Sequence, residues 1–152
     1  MGALGVTATI NAAMSNTRIH LDDSDSCPCG RGRGYRRCCG PLHAAGGAGL
    51  GTTPEDTMRA RFSAYVLADE SFLLATWHPD TRPNGVAFPD DVTWEILEVI
   101  DAIGGGLDAH GAVEFKARFR RNDAPLELHE LSAFERVDGK WVYVSGSDPD
   151  QR

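Results

Sequence analysis

All four cysteines of this chain fall within thirteen consecutive positions, in the stretch CPCGRGRGYRRCCG that runs from Cys27 to Gly40. Thiols this close in sequence cannot staple distant loops, as the disulfides of a small secreted domain do. The spacing Cys-x-Cys-x8-Cys-Cys instead brings four soft donors towards one point. A tetrahedral Zn²⁺ requires that, with each sulfur at about 2.3 Å. Pro28 fixes one backbone dihedral between the first two cysteines, and Gly30 and Gly32 let the chain fold over the sulfurs. Tyr35 to Cys39 is expected to make a short helical turn that presents the second pair. The expected ligand set is Cys27, Cys29, Cys38 and Cys39 around one Zn²⁺. Four thiolates leave no position open for water, so the ion is expected to be structural and not catalytic. The competing readings are free thiols, a vicinal Cys38–Cys39 disulfide, or His43 as a substitute ligand.

Charge separates this stretch from the rest. Between Cys27 and His43 stand Arg31, Arg33, Arg36 and Arg37 with no acidic residue. The whole chain carries −7, which leaves −11 outside the stretch. Such an acidic body repels nucleic acid and anionic membrane. The four arginines can offset the −2 of a tetrathiolate zinc, and they are the candidate partner-binding residues. Apolar content of 41% and charged content of 24% are ordinary for a globular protein. No apolar run approaches a bilayer span, so no membrane insertion is expected. Met1 to Ala13 is mildly apolar but has no basic stretch before it, so no secretory signal is expected, and Met14 is a candidate start. Clustered thiols without a secretory signal point to the cytoplasm.

Residues 1–26 are small and polar, end in Asp22, Asp23 and Asp25, and read as a disordered segment. Residues 27–43 form the knuckle, and 44–52, rich in glycine and alanine, read as a flexible linker. A folded unit is expected over 53–148. Thr53-Pro54-Glu55-Asp56 has the chemistry of a helix start. Met58, Phe62, Tyr65 and Val66 then follow at helical spacing as one buried stripe. A second helix is expected from about Asp69 to Trp77, and the proline-rich 79–89 is a loop. Four strands follow. Val92 to Ile103 alternates imperfectly, whereas Val113, Phe115, Ala117 and Phe119 alternate cleanly with charged residues. Leu126 to Val137 slips phase between Leu128 and Leu131, which predicts a bulge there. Lys140 to Ser145 returns after an Asp138-Gly139 hairpin. The pattern is α+β: helices first, then an antiparallel meander, with the helices on one face of a curved sheet.

CPCGRGRGYRRCCG resembles the SEC-C motif, the zinc-binding tail of the SecA preprotein translocase, with Cys39 where histidine is common. Taken with CCGPLH, RARFSAYVLADESFLLATWHPDTRP, VEFKARF, LHELSAF and GKWVYVSG, in that order, the chain after Ser26 resembles the YchJ family. Arg31 replaces a usual serine and Gly34 a usual lysine; neither is a ligand. The resemblance implies a SEC-C knuckle ahead of a cone-shaped domain like nuclear transport factor 2 (SnoaL-like), whose relatives can pair through the sheet as homodimers. It also implies contacts with other proteins or the ribosome.

Tyr65, Asp69, His78, Arg82, His110, Glu114, His129 and Glu130 are the polar candidates in this body. His129 beside Glu130 is the pair to inspect for acid–base work. Most have plainer readings: Asp69 caps the second helix, Glu114 lies on a solvated face, and His78 sits at a helix end. Trp77, Trp94 and Trp141 read as core. The favoured function is a non-enzymatic interaction module with a structural zinc, docking a protein or the ribosome. A small-molecule binder or isomerase-, dehydratase- or hydrolase-like enzyme using the cone interior is the alternative. Redox or zinc sensing by the cysteines is a third reading.

Overall fold

In a computed structural model of the chain, residues 21–22, 25–49 and 52–151 are described. Most of the segment read as disordered lies outside them; Ser26 itself pairs with Gly34 in an isolated antiparallel bridge. A 3-10 turn over Tyr35–Arg37 leads into the short helix α1, Cys39–Ala44. Helix α2, Pro54–Leu67, opens on a full capping box. The Thr53 hydroxyl accepts from the Asp56 amide at 3.1 Å, and the Asp56 carboxylate accepts from the Thr53 amide at 2.9 Å. A cap of this type is worth about 1 kcal/mol. The helix ends on Ala68 in the left-handed region. Asp69 then caps helix α3, Glu70–Ala75, by accepting from the Phe72 amide.

Four antiparallel strands form one sheet in sequence order: β1 Val92–Ile103, β2 His110–Arg121, β3 Ala124–Val137 and β4 Lys140–Ser147. The α+β class and the order of elements are as the sequence predicts. Two details differ. The imperfect alternation of β1 comes from two register shifts against β2, between Trp94 and Ile96 and between Val99 and Asp101. The bulge expected between Leu128 and Leu131 is not there, since β2 and β3 pair without interruption from His110↔Glu135 to Arg121↔Ala124. The apolar phase breaks at that point because two polar residues, Glu130 and Ser132, take inward positions. The shift in β3 lies further on, at Ala133/Phe134 against β4. Asp138 and Gly139 both have positive φ, as the predicted hairpin turn needs, and so do Asn122 and Asp123 between β2 and β3.

The sheet's inner face packs on α2 through Val113, Phe115, Ala117 and Phe134, with Phe62, Phe72, Leu73 and Trp141 filling the interior. Helix α2 is buried on more than the single stripe its apolar residues suggest: Ala60, Arg61, Ser63 and Ala64 are enclosed as well. The knuckle supplies that second cover. Cys27, Cys29 and Cys39 belong to the same hydrophobic cluster as Phe62 and Trp141. The glycine-rich stretch after α1 is packed where it is described. The Gly47 amide donates to the Leu42 carbonyl at 3.0 Å. Gly47 is buried at φ 93°, and a methyl group added there would lie 2.6 Å from Thr76 Cγ2.

Candidate metal centre

The knuckle is built from two short turns. In the first, the Cys27 amide donates to the Arg33 carbonyl at 2.8 Å and the Gly30 amide to the Cys27 carbonyl at 3.3 Å, folding the chain back between the bridge partners Ser26 and Gly34. In the second, the Cys38 amide donates to the Tyr35 carbonyl at 3.1 Å, and Cys39 begins α1. The result gathers all four sulfurs within 4.8 Å of one another, with Cys29 and Cys38 only 3.4 Å apart. Sulfurs 2.3 Å from a tetrahedral zinc are separated by about 3.8 Å, so the donor set has the size and chemistry to hold one metal ion.

Side chains of α2 brace the cluster. Ser63 Oγ lies 3.5 Å from Cys27 Sγ. Arg59 donates to the Cys29 carbonyl at 2.8 Å and is itself held by Glu55 at 2.8 Å. Arg31 crosses from the knuckle to Asp56 at 2.7 Å and Glu55 at 3.6 Å, which ties the loop to the helix start. Such partners around a metal site orient the ligands. His43 is occupied elsewhere. Its Nε2 meets the Ala60 carbonyl at 2.7 Å, which only an N–H can satisfy, so in the neutral ring Nδ1 accepts from the Tyr35 hydroxyl at 2.6 Å. His43 is not part of the sulfur cluster.

Proton sharing within the cluster is uneven. Hydrogen bonds from Cys29 and then Cys39 hold the Cys27 thiol well below its ordinary range, against the cost of burial. The same contacts with Cys27 and Cys29, then burial, push Cys39 far up. Burial, then Cys29, pushes Cys38 up to about 12. One sulfur can therefore ionise at the expense of its neighbours, and ionising all four at this spacing calls for a cation among them.

The remaining sequence candidates scatter. Arg33, Arg36 and Arg37 are exposed, while Arg31 is half-buried and drawn into ion pairs with α2. Arg82 donates to the Trp77 carbonyl at 2.9 Å. His78 meets Glu135 at 2.9 Å, with His110 on the other carboxylate oxygen at 3.5 Å. His129 points outward, between Glu114 at 2.7 Å and Asp150 at 2.9 Å, whereas Glu130 points inward. Successive residues of a strand face opposite ways, so the two form no dyad.

Glu130 instead shares the interior with Arg61, whose charge it feels and which is not among the sequence candidates. Arg61 is buried, its guanidinium held between the rings of Trp77 and Tyr143 at 4.7 and 4.8 Å. Its Nη1 donates to the Leu73 carbonyl and Thr76 Oγ1, both at 2.9 Å, and Nη2 has no hydrogen-bond partner among the described residues. Glu130 accepts from Ser132 at 2.6 Å and from Tyr143 at 3.4 Å, and its carboxylate lies so close under Gly146 that any side chain there would collide with it. Burial pushes the Tyr65 and Tyr143 hydroxyls up, and both feel the Arg61 and Glu130 charges. The available signal was an arginine between Met58, Phe62 and Tyr65 on the apolar side of a helix.

A cysteine knuckle packed on an NTF2-like α+β domain defines the class, and the comparisons agree. The SEC-C motif model matches residues 24–41, and the model of the YchJ middle NTF2-like domain matches 53–146. A UPF0225 protein of Streptomyces coelicolor is 46% identical over 79% of this chain and 93% of its own length. One from Bordetella bronchiseptica is 43% identical, over 84% and 96%. The solution structure of a SEC-C motif containing protein from Rhodopseudomonas palustris superposes with a TM-score of 0.68 at 32% identity, covering 80% of this chain and 97% of that one. A crystal structure from Psychrobacter arcticus gives 0.64 at 27%, covering 81% and 82%. The chain belongs to the UPF0225 (YchJ) family. Among the described residues, no helix is long and apolar enough to cross a membrane.

Proposed function

We propose that Cys27, Cys29, Cys38 and Cys39 hold one structural Zn²⁺, and that the knuckle so formed is a non-enzymatic docking element for another protein or for the ribosome. The observation that carries this reading is the closed four-sulfur set, three of whose members are buried, beside the exposed Arg33, Arg36 and Arg37. A set of four thiolates gives the metal no open position, so its work is to hold shape. The outward arginines are then the recognition chemistry. Three cations on an acidic body are few for RNA, which favours a protein partner, including a ribosomal protein.

The test has two parts. Metal content of untagged protein should be one zinc per chain, lost in Cys39→Ser and kept in His43→Ala. Co-sedimentation with ribosomes should be salt-sensitive and lost when Arg33, Arg36 and Arg37 are together changed to alanine. Absence of zinc, or its loss with His43, overturns the ligand assignment; sedimentation indifferent to the arginines overturns the docking role.

The buried cluster of Arg61, Tyr65, Glu130 and Tyr143 favours a second reading, a small-molecule binder or enzyme working in the interior of the cone. Phe62, Phe115, Phe134 and Trp141 fill that interior, which counts against it. Saturable, Arg61-dependent binding from a panel of small carboxylates and carbonyl compounds would revive it.

A further inference from the structure

The four cysteines are not equivalent. Cys27, Cys29 and Cys39 are 5%, 0% and 3% exposed, and Cys38 alone is partly open. Cys38 and Cys39 border an open groove of about 290 Å³ lined by the first knuckle turn, α1, the turn that follows it and the start of α2. Leu42 and Pro41 give the groove an apolar wall, and Arg31 and Arg33 stand along it with Asp56. Asp56 is matched by Arg31 at 2.7 Å, while Arg33 is exposed and makes no ion pair among the described residues. Cys39 also lines the groove but is only 3% exposed, so an incoming ligand meets one partly open cysteine, Cys38, an apolar wall and one surplus positive charge.

We propose that this groove binds small anionic thiols and is the port through which the metal exchanges, with Cys38 as the ligand that lets go. The inference rests on the metal-binding reading above. With a metal held by the four cysteines, an incoming thiol would take the place of Cys38 Sγ and Cys38 would take up the proton that thiol gives up, with no electrons transferred. A carboxylate on the incoming molecule pairs with Arg33 and raises its local concentration beside Cys38. Cys27 and Cys29 lie outside the groove lining, and Cys39, which lines it, is covered by the core it shares with α2.

The experiment uses the zinc-loaded full chain. Zinc transfer to a chromogenic acceptor is followed with glutathione (anionic), 2-mercaptoethanol (neutral) and cysteamine (cationic) at equal thiolate concentration. Glutathione should be fastest and should saturate, and Arg33→Glu should slow it by about two- to fivefold or more, as expected for loss of an exposed charge contact. Arg118→Glu, on the exposed face of β2 and outside the groove lining, should not. In parallel, brief iodoacetamide treatment read by peptide mass spectrometry should label Cys38 first. Rates that ignore thiol charge and Arg33, or labelling that begins at Cys27, Cys29 or Cys39, overturn the proposal. A chain that takes up no zinc at all would overturn the metal reading instead, so the two failures are distinguishable.

Discussion

Helix α2 has two polar devices on it, and they solve opposite problems. Towards the knuckle it meets four thiols that cannot all be ionised without a cation supplied from outside. Towards the sheet it carries Arg61, a charge already inside, with Thr76, the Trp77 and Tyr143 rings and Glu130 arranged around it. The first site depends on the surroundings and the second on the chain alone. The stability of the two sides should therefore respond to different perturbations, although both pack on the same fourteen-residue helix.

The largest effect expected is that of metal removal. Binding energies of structural zinc sites are folding energies, with apparent values of about 10–16 kcal/mol in small zinc peptides at neutral pH. Because the knuckle shares its core with Phe62 and Trp141, a chelator should lower the melting temperature of the whole molecule in one calorimetric transition. Two separate transitions would show the knuckle to be an independent appendage. Next in size is Arg61→Met, which leaves the Glu130 carboxylate in the interior without its nearby cation. It also removes the hydrogen bonds to Leu73 and Thr76, and the expected loss is about 1–3 kcal/mol by urea unfolding, with zinc stoichiometry unchanged. Adding Glu130→Gln to it should recover part of that loss; a double variant no better than the single would mean the two charges are not coupled.

Ser63→Ala removes one hydrogen bond to Cys27 and sharpens the comparison from the metal side. Its cost should be about 0.5–1.5 kcal/mol in stability, and metal affinity, by competition titration, should weaken about tenfold or more. The smallest effect belongs to neither device. His129 between Asp150 and Glu114 has its pKa raised, first by Asp150 and then by Glu114. A raised pKa in the folded state means the pair stabilises most fully below the ordinary histidine value of about 6.5 and loses that contribution as pH climbs through the raised value. Asp150→Asn should lower the His129 midpoint in an NMR titration and flatten this part of the pH–stability profile, with no effect on metal.

Local chemistry made much of this legible beforehand. Thr53, Pro54 and Asp56 announce a helix start through contacts three residues apart, and Asp69 does the same for α3. Asp138-Gly139 announces a hairpin, and four cysteines at a diagnostic spacing announce a shared centre. What stayed hidden depends on distant partners. Glu130 mimics a bulge in β3 because a buried carboxylate breaks the apolar alternation as an inserted residue does, and only Ser132, Tyr143 and Gly146 show the difference. Arg61 hides for the same reason. Helical spacing puts it on the apolar side of α2, but its acceptors on α3 and the following turn are twelve and fifteen residues away, so nothing local shows that an arginine there is satisfied inside. The packing of the glycine-rich turn on Thr76 is equally invisible, because glycine and alanine suit a loose tether and a tight contact alike.

The ligands' closeness along the chain also bears on the order of assembly. Closing a loop of about a dozen residues costs little entropy and takes tens of nanoseconds, whereas the pairing of four long strands is slow. During synthesis, Cys27 to Cys39 would emerge well before β1, so a captured ion could fix the knuckle while the meander was still unmade. Ser63 and Ala60 would then arrive at a surface already formed, and α2 would be held in place before the sheet closed over its other side.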